Sequence, residues 1–335
     1  MDHNRMTSDI LTAWSAEPWA MEPMRLQALF ARVQALGSRI EAVAKIEVAR
    51  PAPKLDVRDG VAHIPIRGIL LDTVPAWFAW YGIEATSYGD IARLTAQAAA
   101  DPAVQSIVLD VNSPGGTVAG VLPAARAIRA ARGAKPVTAQ VKSLAASAAY
   151  WLASQAAKIA ADVNDEIGSI GVYTVYDDWS KYFTDKGIKV HVIASGEHKG
   201  MGVFGAPVTE AQIAAMREVV EGIAENFVQA VSAGRRLSLD ETKALATGRL
   251  WEAKAALANK LIDRLGAETA AVESSIANSQ SSITPVGEAT MEPQKSESPA
   301  VDAQAIETQG RQAERTKLAE FKAAFPGDLE YAVAS

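Results

Sequence analysis

Lys142-Ser143-Leu144-Ala145-Ala146-Ser147-Ala148-Ala149-Tyr150-Trp151 sets a serine among alanines at the point where a strand turns into a helix. The run before it, Pro136 to Val141, favours β structure, and Ala148 to Ala157 is rich in helix formers. Ser147 therefore stands near a helix N-terminus, where unpaired amides and the helix dipole stabilise negative charge. An attacking oxygen and a developing oxyanion are both favoured there, and small neighbours let a peptide carbonyl come close. The same position also suits a serine that only caps the helix or packs between helix and sheet. The rest of the chain decides between these readings.

The 335 residues, 49% of them hydrophobic, suffice for one large domain or two ordinary ones with a substantial core. A formal net charge of -6 argues against a nucleic-acid binder that works through its overall field. The absence of cysteine removes thiol catalysis, disulfides and Cys-rich zinc sites. The histidines, His3, His63, His191 and His198, form no ligand spacing, so neither a metal nor another cofactor is expected. No apolar run reaches signal-peptide or membrane-spanning length, which predicts a soluble protein that stays where it is made.

Outward from the serine, Val104 to Val111 reads as a buried strand running into a Gly-rich loop, Ser113-Pro114-Gly115-Gly116. A helix, Ala119 to Ala131, then leads back to the strand before Ser147. Strand, loop, helix, strand and serine in that order put both turns on the carboxyl edge of one parallel sheet, where open α/β folds bind ligands. Two glycines after a proline also make an ordinary turn. Upstream, residues 23–36 read as an amphipathic helix, Val57 to Leu71 as two strands around Asp59-Gly60, and Tyr88 to Ala100 as a helix. The aromatic stretch Trp77 to Tyr81 suits either core or a contact surface. Downstream, Ala157 to Ala160, Ile170 to Val175 and Lys189 to Ile193 are strand candidates, Thr209 to Ala233 is a long helix, and Leu239 to Gly266 reads as two shorter helices. Residues 272–310 lose periodicity and turn to Ser, Thr, Gln, Glu and Pro, the composition of a disordered linker.

Five pieces in order carry a family resemblance: Ser113-Pro114-Gly115-Gly116, Ala145 to Tyr150, Ile167 to Val172, the Ser195 to Lys199 turn, and Thr247-Gly248-Arg249-Leu250-Trp251. Through them, roughly residues 55–270 resemble proteases of the signal peptide peptidase A (SppA) family. The fold this implies is α/β, a crotonase/Clp-protease-like ββα superhelix, here with an N-terminal helical arm (1–50), a protease domain (51–271) and a disordered, scaffold-like C-terminal extension (272–335). The resemblance implies a serine endopeptidase with Ser147 as nucleophile, Lys199 as general base and Ser169 as the hydroxyl orienting Lys199. Ala148 N–H with Gly115 and Gly116 would form the oxyanion hole. Many relatives carry glycines after the nucleophile; here Ala148 and Ala149 add two methyls.

The region 165–175 holds no histidine, which disfavours a His-based triad. His198 adjoins Lys199, but neighbours on an extended segment face opposite ways, so only one can point at Ser147. A lysine serves as base near neutrality only where burial makes its neutral form accessible, which calls for a closed site. Lys142 is nearer in sequence but precedes the turn. The missing anchor and the tail resemble capsid-assembly (prohead) proteases of tailed phages. That implies degradation of scaffold protein and of the enzyme itself, scaffold, major capsid and portal proteins as partners, a ring-shaped homo-oligomer, and a location in the host cytoplasm inside the prohead, without nucleic acid or membrane. Met291 reads as a linker residue or a nested scaffold start. Rival readings are an inert scaffold or head-assembly protein, a bacterial cytoplasmic SppA-type peptidase, and an acyl-CoA enzyme of the same fold, which has no need of a Ser-Lys pair.

Overall fold

The computed structural model describes residues 18–36 and 52–266, and the expected extension 272–335, with Met291, lies outside them. The first elements are strand β1 (Trp19–Met21) and helix α1 (Pro23–Leu36). Pro23 opens α1, where its missing N–H costs nothing, and the Glu22 carboxylate accepts from the amides of Met24 and Arg25. Leu26, Leu29 and Val33, one stripe of the helix, are buried.

Strands β2 (Asp56–Arg58) and β3 (Val61–Leu71) form an antiparallel hairpin. Its turn is Asp59-Gly60, both at positive φ (50° and 77°), as the sequence leads one to expect of a two-residue hairpin loop. A short helix α2 (Trp77–Trp80) and strand β4 (Ala85–Ser87) lead into α3 (Tyr88–Ala100), where the Ser87 side chain caps the helix by accepting from Asp90 N–H. Then come β5 (Ser106–Thr117), α4 (Val121–Ala134), β6 (Val137–Ala146), α5 (Ala148–Ala153), β7 (Lys158–Ala161) and β8 (Glu166–Gly168). The remainder is helical with short strands: α6 (Ser180–Asp185), α7 (Glu210–Arg235), α8 (Leu239–Leu245), β9 (Leu250–Glu252), α9 (Ala253–Ala258) and β10 (Arg264–Leu265). A capping box between Thr209 and Gln212 starts α7.

The architecture is mixed α/β around one central sheet of order β10-β7-β6-β5-β3-β2. The pairs β3/β5, β5/β6 and β6/β7 are parallel, and their strands read as continuous apolar runs because both faces are covered. Ile64, Ile66, Leu109 and Val111 of the sheet meet Ile91 and Leu94 of α3 and Ile128 of α4 in one core. On another side Trp151 of α5 stacks on Phe227 of α7, ring centroids 4.4 Å apart. A second apolar cluster joins Trp19, Leu26 and Val33 to Ile69, Trp77 and Phe78, so this part of the aromatic stretch is core, packed against the N-terminal segment.

Four expectations change. Ser113–Gly116 is not a loop but the end of β5, flanked by β3 and β1, which glycine permits because no Cβ stands between the strands. Ile170–Val175 is not a strand, and among the described residues it pairs through one bridge, Tyr173 to Trp19. Lys189–Ile193 is mostly exposed non-strand chain, with Ile193 98% accessible; its alternating pattern finds no ladder partner among the described residues. The segment 239–266 adds β9 and β10 to its two helices, pairing with β8 and β7.

Candidate active site

Parallel register fixes which residues meet at the carboxyl edge. Ser113 pairs with Ala145, so the β5 end at Gly115 and the turn at Ser147, where β6 has just ended, lie at the same edge of the sheet. A Cβ on Gly115 would lie 3.0 Å from both Ala146 O and Ala148 N, which brings the β5 end and the first turn of α5 into contact. A side chain at that position would fill the space between them.

Ser147 has φ 54° and ψ −121°, a backbone that L-residues rarely adopt and that costs on the order of 1–3 kcal/mol. The surroundings hold it there. Its N–H donates to Gly168 O (2.7 Å), its carbonyl accepts from Trp151 N–H (2.9 Å), and its hydroxyl makes a long contact of 3.5 Å to Gly171 O. The strain turns β6 sharply into α5 and leaves Ala148 N–H, the first amide of the helix, outside the helical ladder. Of the two glycine amides, that of Gly115 donates to Ser113 Oγ (3.1 Å), whereas Gly116 is the ladder partner of Ala20 in β1. Ser147 is only 1% exposed.

Ser169 is buried beside this point, at φ 48°, and follows the Gly168 carbonyl that receives Ser147 N–H. The segment is braced from behind. Ser169 N–H donates to Arg249 O (2.8 Å), Gly248 N–H to Ile170 O (3.1 Å), and β9 pairs with β8. Arg249 lies over the Trp251 ring at 4.2 Å, and a Cβ on Gly168 would meet that ring at 2.8 Å. The Thr247–Trp251 motif thus supports the strand that holds the serine.

Ser147, Ala148, Gly115, Gly116 and Ser169 therefore converge, while Lys199 opens onto a different cavity. It is exposed, in a cavity of about 370 Å³ walled by Val192, Ser195, Glu197 and Gln212, and Ser147 is not among the walls. His198 is exposed on the same segment. Lys142 turns to Asp110, Nζ to Oδ1 3.1 Å, on a strand interior where His63 Nδ1 also approaches Asp110 at 3.3 Å. A polar cleft of about 580 Å³, lined among others by Arg25, Asn112, Pro114 and Glu166, likewise excludes Ser147.

Sequence reasoning missed β1. Trp19–Met21 is too short to show a two-residue period, and its only signal is an apolar triplet framed by Pro18 and Pro23. Among the described residues, no helix is long and apolar enough to cross a membrane.

Residues 129–281 match the family model "Peptidase family S49". Over 219 residues the chain is 31% identical to Protease 4 of Haemophilus influenzae, covering 65% of this chain and 34% of that one. Over 223 residues it is 31% identical to Capsid assembly protease C of Escherichia phage lambda, covering 66% and 50%. The chain thus spans between a third and a half of the length of these relatives. Among solved structures, an enoyl-CoA hydratase/isomerase family member aligns with 68% of this chain and 75% of its own at 18% identity and a TM-score of 0.37.

Proposed function

From the match of residues 129–281 to the Peptidase family S49 model, we propose that this chain is a serine endopeptidase with a Ser-Lys dyad on a crotonase/Clp-protease-like fold. The observation that carries the reading is the strained Ser147, whose two neighbours Ala146 and Ala148 approach Gly115 and which is followed by an amide outside the helical ladder. Ser147 Oγ attacks the peptide carbonyl and its proton passes to Lys199 Nζ. The carbonyl oxygen becomes an oxyanion held by Ala148 N–H and the Gly115–Gly116 backbone. Lys199 returns the proton to the leaving amine, and water then hydrolyses the acyl-enzyme by the reverse route. Ser169 orients Lys199.

For this, Lys199 must reach a serine, and its place on an exposed segment supports delivery between chains. The same segment exposes Trp179, Tyr182 and Phe204, whose rings cluster at centroid distances of 6.0 Å around Trp179. Burying these apolar faces in a ring-shaped homo-oligomer would also enclose Lys199, the condition for it to act as a base. The likeness to Capsid assembly protease C supports a role in capsid assembly, degrading scaffold and the enzyme's own extension inside a phage prohead in the host cytoplasm, with scaffold, major capsid and portal proteins as partners. The test is cleavage of denatured casein by wild type, Ser147→Ala and Lys199→Ala. Both variants are expected to be inactive with unchanged melting, because neither substitution opens a large cavity. A Ser147→Ala protein that cleaves at the wild-type rate overturns the assignment.

A further inference from the structure

β1 lies where β6 would have continued. β6 ends at Ala146 and the chain turns away at Ser147, which leaves a gap one strand wide between the end of β5 and the segment after β8. Trp19–Met21 fills that gap. On one side it runs antiparallel to Gly115–Thr117, and on the other Trp19 exchanges both backbone hydrogen bonds with Tyr173, at 2.8 and 3.1 Å. Bonds from Val118 N–H to Pro18 O (3.2 Å) and from Glu22 N–H to Pro114 O (2.8 Å) bracket the strand. The two-residue alternation of an antiparallel ladder then makes Ala20 and Gly116 the hydrogen-bonded pair between them. The Ala20 carbonyl is accordingly aimed at the Gly115–Gly116 backbone. A Cβ on Gly115 would lie 2.2 Å from Ala20 O and 3.0 Å from Ala148 N, so that oxygen and that amide surround the same point.

We propose that Trp19–Met21 is a built-in occupant of the substrate slot, a self-inhibiting strand that an extended peptide must displace before Ser147 can act. The inference rests on the reading of Ser147 as nucleophile. A substrate carbonyl bound for attack needs the position that the Ala20 carbonyl takes, and its flanking amides need the partners that Pro18, Trp19 and Glu22 use. The occupant also describes the ligand: an extended peptide with a small residue where Ala20 sits fully enclosed. Tethering favours the occupant, because Leu26, Leu29 and Val33 anchor α1 and keep β1 at high effective concentration. Against this, among the described residues β1 pairs on its far side through a single bridge, Trp19 to Tyr173.

The experiment uses the full chain carrying Trp19→Cys and Tyr173→Cys together. The chain has no other cysteine, and directly opposed hydrogen-bonded residues have Cα atoms ~5.5 Å apart, within disulfide reach. A fluorophosphonate probe is added and the rate of its adduct on Ser147 is followed by mass spectrometry. The reduced form, without the Trp19 anchor, is expected to label at least about tenfold faster than wild type, and the oxidised form far more slowly, reversibly with dithiothreitol. Trp19→Ser is expected to label fast as well, and a synthetic peptide of residues 18–22 to slow it. Equal rates in the oxidised and reduced forms overturn the proposal, as does a folded Trp19→Ser protein no faster than wild type. If no form ever labels, even at completion, the nucleophile reading falls and takes this one with it.

Discussion

Gly116→Ala is the sharpest test of how the site is built. A Cβ there would lie 1.7 Å from Leu70 O, 2.5 Å from Leu70 C and 2.7 Å from Leu70 Cα, all backbone atoms of β3 that cannot rotate aside. The strands must part. Forcing atoms into such a contact costs about 1–3 kcal/mol. Separating β5 from Leu70 on one side and from Ala20 on the other gives up backbone hydrogen bonds worth about 1 kcal/mol each. The sum is about 3–5 kcal/mol, which for a domain of this size lowers the melting temperature by about 6–20 °C. The assay is thermal unfolding followed by circular dichroism, with Gly222→Ala as control. Gly222 is exposed within α7 and a Cβ there meets nothing within 4 Å, so the control should gain about 0.5–1 kcal/mol. A Gly116→Ala protein that melts with wild type would show that β3 and β5 do not approach as described.

Mixing Ser147→Ala with Lys199→Ala protein should restore activity if each serine is served by a neighbour's lysine, and no rescue in a mixture shown to exchange subunits places both in one chain. Lys142→Ala, which loses the ion pair with Asp110, should stay active, and a dead variant would make Lys142 the base. Burial, with the Glu22 charge adding to it, pushes the Tyr173 hydroxyl up to about 12 from its ordinary value near 10. The unfolded chain therefore ionises first, and the contribution of Tyr173 is present below pH 10 and lost between pH 10 and about 12. Burial also raises Tyr88 and Tyr150, so Tyr173→Phe should lessen the fall in stability between pH 10 and about 12 without abolishing it, and an equal fall refutes its share. Wild-type protein should shorten on storage to a core ending between about residues 270 and 310, the Ser- and Pro-rich stretch, while Ser147→Ala stays full length. Equal shortening of both, seen on intact mass, would point to a contaminating protease.

The parallel core was legible because buried strands such as Val104 to Val111 and the helices between them carry strong, long patterns, and Asp59-Gly60 specifies its hairpin turn by itself. The serine turn was legible from small residues between a strand and a helix. What escaped depends on partners remote in sequence. Ser113–Gly116 looks like a loop until Leu70 and Ala20 are brought to its two sides, and Lys189–Ile193 has a strand's composition without a ladder to join. Trp77 and Phe78 offered no local sign of whether they face solvent or α1. Lys199 opens onto a cavity that does not include Ser147, and no spacing in the sequence could show that.

The central claim is that Ser147 is the attacking group, and an active-site serine probe carried to completion tests it most directly. After prolonged exposure of wild type and Ser147→Ala to a fluorophosphonate, peptide mapping should find one adduct, on Ser147, in wild type and none in the variant. An adduct on another serine, equal labelling of both proteins, or wild type still unmodified at completion would contradict the account.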